Sequence, residues 1–266
     1  MSGSERPSER PSERPSERRS ERRSERRSAT RTAVVWEALR PVLDGLGEGD
    51  LSGDVLDIGG GTGGFAVRVA ELGHRVRVVD PSPDALAALD RRAKENPDPG
   101  VAERLTAQQG DLSSLLEVAD PGSADLVLCH GVLEVVDDPA AALATIAEVL
   151  RPGGTLSLLV AQRHAAVIAR AMAGHFQQAR ATLEGTDPVG RTGRRFTVEE
   201  LDDLLHGAGL SVQGVHAVRV FTDLVPGSLL DLEPGAHQAL LELEHAVAQR
   251  REYLSLATQL HVLATT

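Results

Sequence analysis

Short apolar runs alternate with stretches of helical periodicity along most of the chain. Apolar residues recur at helical spacing from Val34 to Leu46, and Val55–Ile58 has the character of a buried strand. The pattern predicts further strands in HRVRVVD (74–80), RLTAQQGD (104–111), ADLVLCH (124–130) and TLSLLV (155–160), with helices between them. Strands that alternate with helices predict an α/β fold with a parallel sheet and right-handed crossovers.

The pattern is less regular after residue 161. We expect a helix over 162–184, a loop followed by a helix over 192–210, a strand over 211–221, a helix over 237–253 and a final strand over 257–264. Ligands of an open parallel sheet bind at the carboxyl ends of its strands. Functional residues are therefore expected at Gly59, Asp80, Asp111 and His130, where predicted strands end.

Composition divides the chain into a tail and one domain. From Ser4 to Ser28 the sequence repeats SERP and then SERR, which offers no apolar face, so residues 1–28 are predicted to be a disordered tail. The tail holds nine Arg and six Glu, a net charge of +3, and the whole chain carries −11. The predicted single domain over 29–266 therefore carries −14 and is strongly acidic.

Other features limit the class of protein. The sequence has no apolar signal region and no apolar run long enough for a membrane span, so we expect a cytoplasmic protein. Cys129 is the only cysteine, which excludes an internal disulfide, and we expect no metal site. We interpret Cys129, Trp36 and Phe176 as packing residues.

The stretch LDIGGGTGG places Gly59, Gly61 and Gly64 in the G-x-G-x-x-G spacing between a predicted strand and a predicted helix. A dinucleotide would put its pyrophosphate at such a loop, whereas S-adenosylmethionine would put its amino-acid part and sulfonium there. Asp57 helps to separate the two ligands, because a carboxylate repels a pyrophosphate and attracts a cation. The charge of Asp57 therefore favours S-adenosylmethionine.

Two later carboxylates suit an adenosyl ligand that lies across several strand ends. Asp80, at the end of the second predicted strand, can accept hydrogen bonds from both ribose hydroxyls of either cofactor. Asp111, at the end of the third, can accept one from an adenine amino group. Taken singly, Asp57 and Asp111 are also compatible with ordinary loop and cap chemistry. The three carboxylates together favour the adenosyl ligand.

Five motifs resemble the successive motifs of class I S-adenosylmethionine-dependent methyltransferases: VLDIGGGTGG, VVDPSPDAL, QQGDL, DLVLCHGVLEVVDDP and EVLRPGGTLSLLV. Segments from about Arg31 to Ala264, among them RTAVVWEAL, AMAGHF and VRVFTD, also resemble the CmoM (SmtA-like) branch. Enzymes of that branch esterify the carboxymethoxy group on the wobble uridine of tRNA. The resemblance implies a Rossmann-like fold with a mostly parallel seven-stranded sheet, flanking helices and a helical insertion after strand five.

The resemblance and the charges together define an expected cofactor-binding set: Arg31, Asp57, Gly59, Gly60, Gly61, Asp80, Asp111, Leu112 and His130. By resemblance, the three glycines would approach the methionine part, Asp80 the ribose, and Asp111 with Leu112 the adenine. His130 would line the pocket, and Arg31 would contact the cofactor at its carboxylate. From the residues alone, Arg31 is also compatible with an exposed linker charge, and His130 with a histidine bonded to backbone.

Methyl transfer to a carboxylate requires no general base, because a carboxylate is already ionised at pH 7. It does require a cation that holds the carboxylate, and Arg suits that geometry. Three candidates follow strand five: His164 in QRH, Arg195 in an arginine-containing loop with Arg191 and Arg194, and Arg219 in VRVF. We favour Arg219 as the anchor with His164 beside it; the alternative for Arg219 is a solvated arginine on an edge strand.

The acceptor remains open between tRNA and a small carboxylate-bearing molecule. RNA recognition relies on cations that neutralise phosphates and on aromatic side chains that stack bases. A domain of charge −14 with six aromatic residues lacks both over most of its surface, and Val160 and Ala161 stand where the tRNA enzymes carry an aromatic residue. The alternatives from other classes are an NAD-dependent oxidoreductase, which rests on the glycine spacing alone, and a non-catalytic cofactor-binding protein.

Overall fold

The fold was examined in a computed structural model, which describes residues 32–46, 52–186, 193–230 and 233–266. The predicted tail and Arg31 lie outside the described residues. No helix of the described part is long and apolar enough to cross a membrane.

Seven strands form one sheet in the order β3-β2-β1-β4-β5-β7-β6. Their bounds are β1 Asp54–Ile58, β2 Arg75–Asp80, β3 Leu105–Gln109, β4 Ala124–His130, β5 Leu150–Ala161, β6 Ser211–Val218 and β7 Gln259–Thr265. Strands β1 to β5 are parallel, and β7 lies antiparallel between β5 and β6. The predicted seven-stranded, mostly parallel sheet is therefore confirmed.

Helices cover both faces of this sheet. Their bounds are α1 32–45, α2 Ala66–Glu71, α3 Pro83–Lys94, α4 Gly100–Arg104, α5 Leu115–Val118, α6 Pro139–Val149, α7 Arg163–Met172, α8 Phe176–Glu184, α9 Val198–Gly207, α10 Gly227–Leu230, α11 Ala236–Val247 and α12 Arg251–Leu254. The buried cluster on one face includes Leu39 of α1 and Leu89 of α3, and the cluster on the other includes Ile146 of α6 and Leu205 of α9. These two layers of helices cover the faces of the sheet and leave its carboxyl edge free for a site.

Local capping explains where several helices begin. The Ser82 hydroxyl accepts a hydrogen bond from the Ala85 N–H, and Pro83 occupies the first turn of α3. The Asp138 side chain accepts bonds from the first N–H groups of α6, which also begins with proline. Such residues satisfy N–H groups that have no partner within the helix.

The structure differs from the sequence prediction in three segments. The helix expected over 162–184 is two helices, because Gly174 adopts a φ of 78° between α7 and α8. The helix expected over 237–253 is also divided, into α11 and α12. The strand expected to continue to residue 221 ends at Val218, because Arg219 has a φ of 62°, which no regular strand accommodates.

Candidate functional site

The glycine loop after β1 brings backbone close to side chains beneath it. A Cβ at Gly60 would lie 2.6 Å from Asp57 Oδ2 and 2.9 Å from Val78, so this position requires glycine. Gly59 and Gly61 have φ values of 67° and 55°, which glycine adopts without strain. The glycines therefore allow the loop to turn sharply and to pack directly on the side chains beneath it.

Asp57 is a buried carboxyl group beneath this loop. It is 3% exposed, and its Oδ2 has no hydrogen-bond partner among the described residues. Burial, with a smaller contribution from the nearby charge of Asp80, raises the pKa of Asp57 to about 7. A buried carboxylate without a cation is costly. Among the described residues, no cation offsets the burial of the Asp57 carboxyl group.

Asp80 connects the end of β2 to the glycine loop. Its Oδ2 accepts a hydrogen bond from the Gly61 N–H at 2.8 Å, and its Oδ1 accepts one from the Ser82 N–H at 2.9 Å. The side chain is 7% exposed and reaches the wall of an adjacent cleft. Its carboxylate is therefore held at a fixed orientation where a ligand's hydroxyl groups can donate to it.

Asp111 caps the short helical turn after β3. Its Oδ1 accepts bonds from the Ser113 N–H at 2.9 Å and the Ser114 N–H at 3.2 Å. Hydrogen bonds, of which the one from the Ser113 hydroxyl is the largest contribution, lower the pKa of Asp111. Asp111 and the buried Leu112 also line the cleft. Asp111 therefore caps the helical turn and lines the cleft at the same time.

The cleft has a volume of about 700 Å³ and opens at the carboxyl ends of β1, β2 and β4. It brings together five of the expected cofactor-binding residues: Gly59, Asp80, Asp111, Leu112 and His130. Much of its remaining wall is apolar, including Val132 and Val136. A concave apolar wall with a few fixed polar groups is typical of a cofactor site.

His130 belongs to a buried chain of polar side chains that crosses the sheet. Its Nε2 lies 2.8 Å from Ser157 Oγ, which lies 2.8 Å from His261 Nε2. The ring of His216 lies 5.4 Å from that of His261. Burial lowers the pKa of His130 to about 4, so His130 is neutral at physiological pH. The neutral ring is thus held by the Ser157 hydroxyl of β5 and not by backbone, since its Nδ1 has no hydrogen-bond partner among the described residues.

Aromatic rings support the other side of His130. Phe65 contacts it edge-on with centroids 4.6 Å apart, and Trp36 stacks on Phe65 at 4.8 Å. The Arg68 guanidinium lies 3.8 Å from the centroid of the Trp36 ring. Trp36 is therefore a packing residue, as predicted. The histidine chain itself was not predicted; its sequence signal is a set of polar residues inside buried apolar strands.

Two of the cationic candidates lie beyond the end of β5. His164, in the first turn of α7, places its Nδ1 3.2 Å from Gln162 Nε2. Arg195 lies near Glu134, where its positive charge acts against the effect of burial, which raises the pKa of Glu134. Glu134 Oε1 accepts a hydrogen bond from the Ala161 N–H at 2.8 Å and so joins the loop after β4 to the end of β5. Arg191 lies outside the described residues.

Arg219 lies just after β6 at the same edge of the sheet. Its Nη1 donates to Gln259 Oε1 at 3.2 Å, and its Nη2 forms an ion pair with Asp223. Its side chain is 22% exposed, so it is not the freely solvated arginine of the alternative interpretation. Its Nε is buried and has no hydrogen-bond partner among the described residues.

The loop after Arg219 is held by a buried carboxylate. Glu244 is 1% exposed and accepts hydrogen bonds from the N–H groups of Val220, Phe221 and Thr222 and from the Thr222 hydroxyl. These four bonds satisfy the carboxylate and stabilise the turn that the left-handed backbone of Arg219 begins. Glu244 was not predicted, because its contacts lie more than 20 residues away along the chain.

In residues 32–46, 52–186, 193–230 and 233–266, no three His, Cys, Asp or Glu side chains are grouped so that they could hold a metal ion. Cys129 is buried, and burial is the main cause that raises its pKa to about 12. The thiol is thus a packing group of the central strand, as predicted.

Known proteins resemble this chain at the level of sequence. A family model described as a methyltransferase domain matches residues 56–158. The tRNA 5-carboxymethoxyuridine methyltransferase of Escherichia coli O157:H7 is 34% identical over 243 residues, which are 87% of this chain and 86% of that protein. The ubiquinone biosynthesis O-methyltransferase of Xanthomonas campestris pv. campestris (strain B100) is 34% identical over 137 residues, 50% of this chain and 53% of that protein.

Solved structures share the fold. An S-adenosylmethionine-dependent methyltransferase from Mesorhizobium loti has a TM-score of 0.55 at 20% identity, over 86% of this chain and 98% of that chain. The Haemonchus contortus phosphoethanolamine N-methyltransferase 2, solved in complex with S-adenosyl-L-methionine, has a TM-score of 0.54 at 17% identity, over 89% of this chain and 56% of that chain.

Proposed function

Because the chain belongs to the S-adenosylmethionine-dependent methyltransferases, we propose that it methylates the carboxylate of 5-carboxymethoxyuridine at the wobble position of tRNA. The extent of the similarity carries the proposal. The tRNA enzyme matches 87% of the chain, including segments after β5 where substrate-facing residues are expected, whereas the ubiquinone enzyme matches 50%. The similarity to the tRNA enzyme therefore covers both the cofactor side and the acceptor side.

The residues present fit S-adenosylmethionine. The buried, unpartnered Oδ2 of Asp57 suits a cationic ligand. Gly60 lets the loop pack directly over this carboxyl group. We assign Asp80 to the ribose hydroxyls and Asp111 with Leu112 to the adenine. His130 is assigned to the pocket wall. Arg31, expected at the cofactor's carboxylate, lies outside the described residues and stays a prediction.

When bound, S-adenosylmethionine would supply an electrophilic methyl group to the acceptor oxygen, and S-adenosylhomocysteine would be the leaving group. The protein aligns the acceptor oxygen with the methyl group and the sulfur, and this alignment lowers the activation barrier by several kcal/mol. The acceptor carboxylate is ionised at pH 7, so no side chain has to remove a proton. The pKa of about 4 makes His130 a weak base, which accords with a reaction that needs no general base.

Arg219 is the proposed anchor for the acceptor carboxylate, with His164 and Arg195 as further polar contacts. Its guanidinium already holds one carboxylate, that of Asp223, and the substrate would take the place of Asp223. Arg219→Ala is expected to raise the KM for the acceptor and leave the Kd of the cofactor unchanged. Arg40→Ala, at an exposed arginine of α1, is the control. Equal loss of acceptor use and cofactor binding would contradict the assignment.

Nucleoside mass spectrometry tests the proposed acceptor. tRNA from a strain that lacks the gene should contain carboxymethoxyuridine without its methyl ester, and the gene on a plasmid should restore the ester. The purified protein with labelled cofactor should methylate that tRNA. Unchanged tRNA in the deletion strain would refute the proposal.

A small carboxylate-bearing molecule is the second candidate acceptor. The charge of −14 over residues 29–266 favours it, because a polyanionic RNA is repelled by an acidic domain. Methylation of free carboxylates, with no activity on undermethylated tRNA, would support this candidate.

A further inference from the structure

Phe176 was expected to be a packing residue, and the structure contradicts this expectation. It is 70% exposed, at the start of α8. The other five aromatic side chains have partners or are buried: Trp36 stacks on Phe65, Phe221 contacts Tyr253, and Phe196 is 2% exposed. Phe176 is thus an aromatic face that packing within the described chain does not explain.

Phe176 belongs to a larger apolar surface on the two helices inserted after β5, which we call the α7–α8 hairpin (Arg163–Glu184). Met172 is 74% exposed and Ile168 is 40% exposed. Ile168 and Met172 are four residues apart on α7 and so share one face of that helix, and Phe176 follows directly after the turn. α7 has no buried residue.

The hairpin and the loop after it form a basic region in an acidic domain. Between positions 163 and 195, the described residues include five arginines, at 163, 170, 180, 194 and 195, against one acidic residue, Glu184. Their net charge of +4 contrasts with −14 for residues 29–266 as a whole. Arg163 is paired with Glu200, and Arg180 with Glu184. Even with these pairs counted, arginines outnumber carboxylates in this region, so it attracts a polyanion more than the domain as a whole does.

The region adjoins the proposed active site. α7 begins two residues after β5 ends, at the carboxyl edge of the sheet, and its ten residues carry the chain about 15 Å to the turn before Phe176. α8 returns to a second cavity of about 470 Å³, whose charged lining residues are Arg163, Arg194, Arg195, Asp138, Glu200 and Asp203. Asp138 also lines the cofactor cleft, so the arginine-lined cavity and the cleft are neighbours.

We propose that the α7–α8 hairpin is a contact surface for single-stranded RNA, on which Phe176 stacks an unpaired base near the acceptor nucleotide. Sequence-tolerant RNA binding combines a positive surface with aromatic faces that stack bases, and the hairpin offers both beside the cleft. This inference rests on the proposed function, because it assigns the flanking bases of the acceptor RNA to a surface. It also shows how an acidic enzyme could hold a polyanion, through one local region of opposite charge.

Phe176→Ala and Phe176→Trp, in the full-length protein, test the stack. The acceptors are an anticodon stem-loop RNA that carries 5-carboxymethoxyuridine and the free 5-carboxymethoxyuridine nucleoside. Phe176→Ala should raise the KM for the stem-loop about 5- to 150-fold, the range expected for loss of one stacked base, and Phe176→Trp should restore it. Reaction of the free nucleoside and the Kd of the cofactor should not change. Leu243→Ala, at an exposed apolar residue of α11 outside the hairpin, is the matched control.

Three outcomes would overturn the inference: an unchanged KM for the stem-loop, equal changes for stem-loop and nucleoside, or an equal effect of Leu243→Ala. Light scattering adds a fourth: a dimer that Phe176→Ala dissociates while stem-loop binding is unaffected would assign the surface to a second copy of the chain.

Anisotropy of the labelled stem-loop separates this inference from the proposed function. Phe176-dependent binding without methylation would refute the proposed function alone, and methylation insensitive to Phe176 would refute this inference alone.

Discussion

Replacement of Asp57 by asparagine should stabilise the ligand-free protein while weakening cofactor binding. Burial raises the pKa of Asp57 from 3.8 to about 7, so the folded state retains a proton that the unfolded chain releases. The resulting stability is fully present below pH 3.8 and is lost as the pH rises to about 7 and above. Between pH 5 and pH 8 the loss amounts to about 2.5 kcal/mol.

Asparagine has no charge at either pH, so Asp57→Asn should not show this loss. The free energy of unfolding of the variant minus that of the wild type should therefore be about 2.5 kcal/mol larger at pH 8 than at pH 5. The comparison between two pH values cancels the packing cost of the buried amide, which is the same at both. Urea denaturation without cofactor at each pH gives the four values required.

Cofactor binding should change in the opposite direction. The ionised form of Asp57 attracts a cationic ligand, so the wild-type affinity should fall about tenfold from pH 8 to pH 6 as the carboxylate takes up its proton. Asp57→Asn should bind more weakly at pH 8 and lose this pH dependence. Calorimetric titration with S-adenosylmethionine measures both effects. Asp90→Asn, at an exposed carboxylate of α3, is the control and should alter neither quantity.

The reasoning would be refuted if Asp57→Asn retained the pH dependence of the wild type in both stability and binding. The opposite change would also refute it. If Asp57→Asn lost stability relative to the wild type between pH 5 and pH 8, the fold would stabilise the ionised form of Asp57, and its pKa would be lowered.

Two further predictions concern the walls of the cleft. Asp80→Asn removes the charge that accepts bonds from Gly61 and Ser82, and calorimetry should show cofactor affinity about 10- to 100-fold weaker, whereas unchanged affinity would exclude Asp80 from the ligand contact. Ser157→Ala removes the hydroxyl between His130 and His261, and should lower the free energy of unfolding by about 1–3 kcal/mol and weaken cofactor binding. Loss of stability with unchanged cofactor affinity would show that the chain of side chains supports the core and does not orient His130.

Much of the cofactor side could be predicted from the sequence because its signals are local. Asp57, Asp80 and Asp111 each stand at or beside the end of a strand that short windows of sequence reveal. The contact between Asp80 and Gly61 then follows from the topology, since the carboxyl ends of parallel strands β1 and β2 meet at one edge.

The remaining features depend on contacts between distant segments. Ser157 meets His261 because β5 and β7 pair antiparallel in one register, and no short window of sequence specifies that register. Glu244 looks like a charged residue of an amphipathic helix until the loop after Arg219 is placed against it. Phe176 was misjudged because a helical periodicity does not reveal that no element covers that face.

The register of the last strand is also specified by the polar side chains that run from His130 through Ser157 to His261, with His216 beyond them. A shift of β7 by one residue would turn His261 to the opposite face of the sheet and leave Ser157 and His130 without that link. If β7 pairs in the wrong register, polar groups are left without hydrogen bonds in an apolar core, which is destabilising. The native register satisfies them. The residues that orient the wall of the cleft thereby also discriminate among the ways in which the final strand can join the sheet as the chain folds.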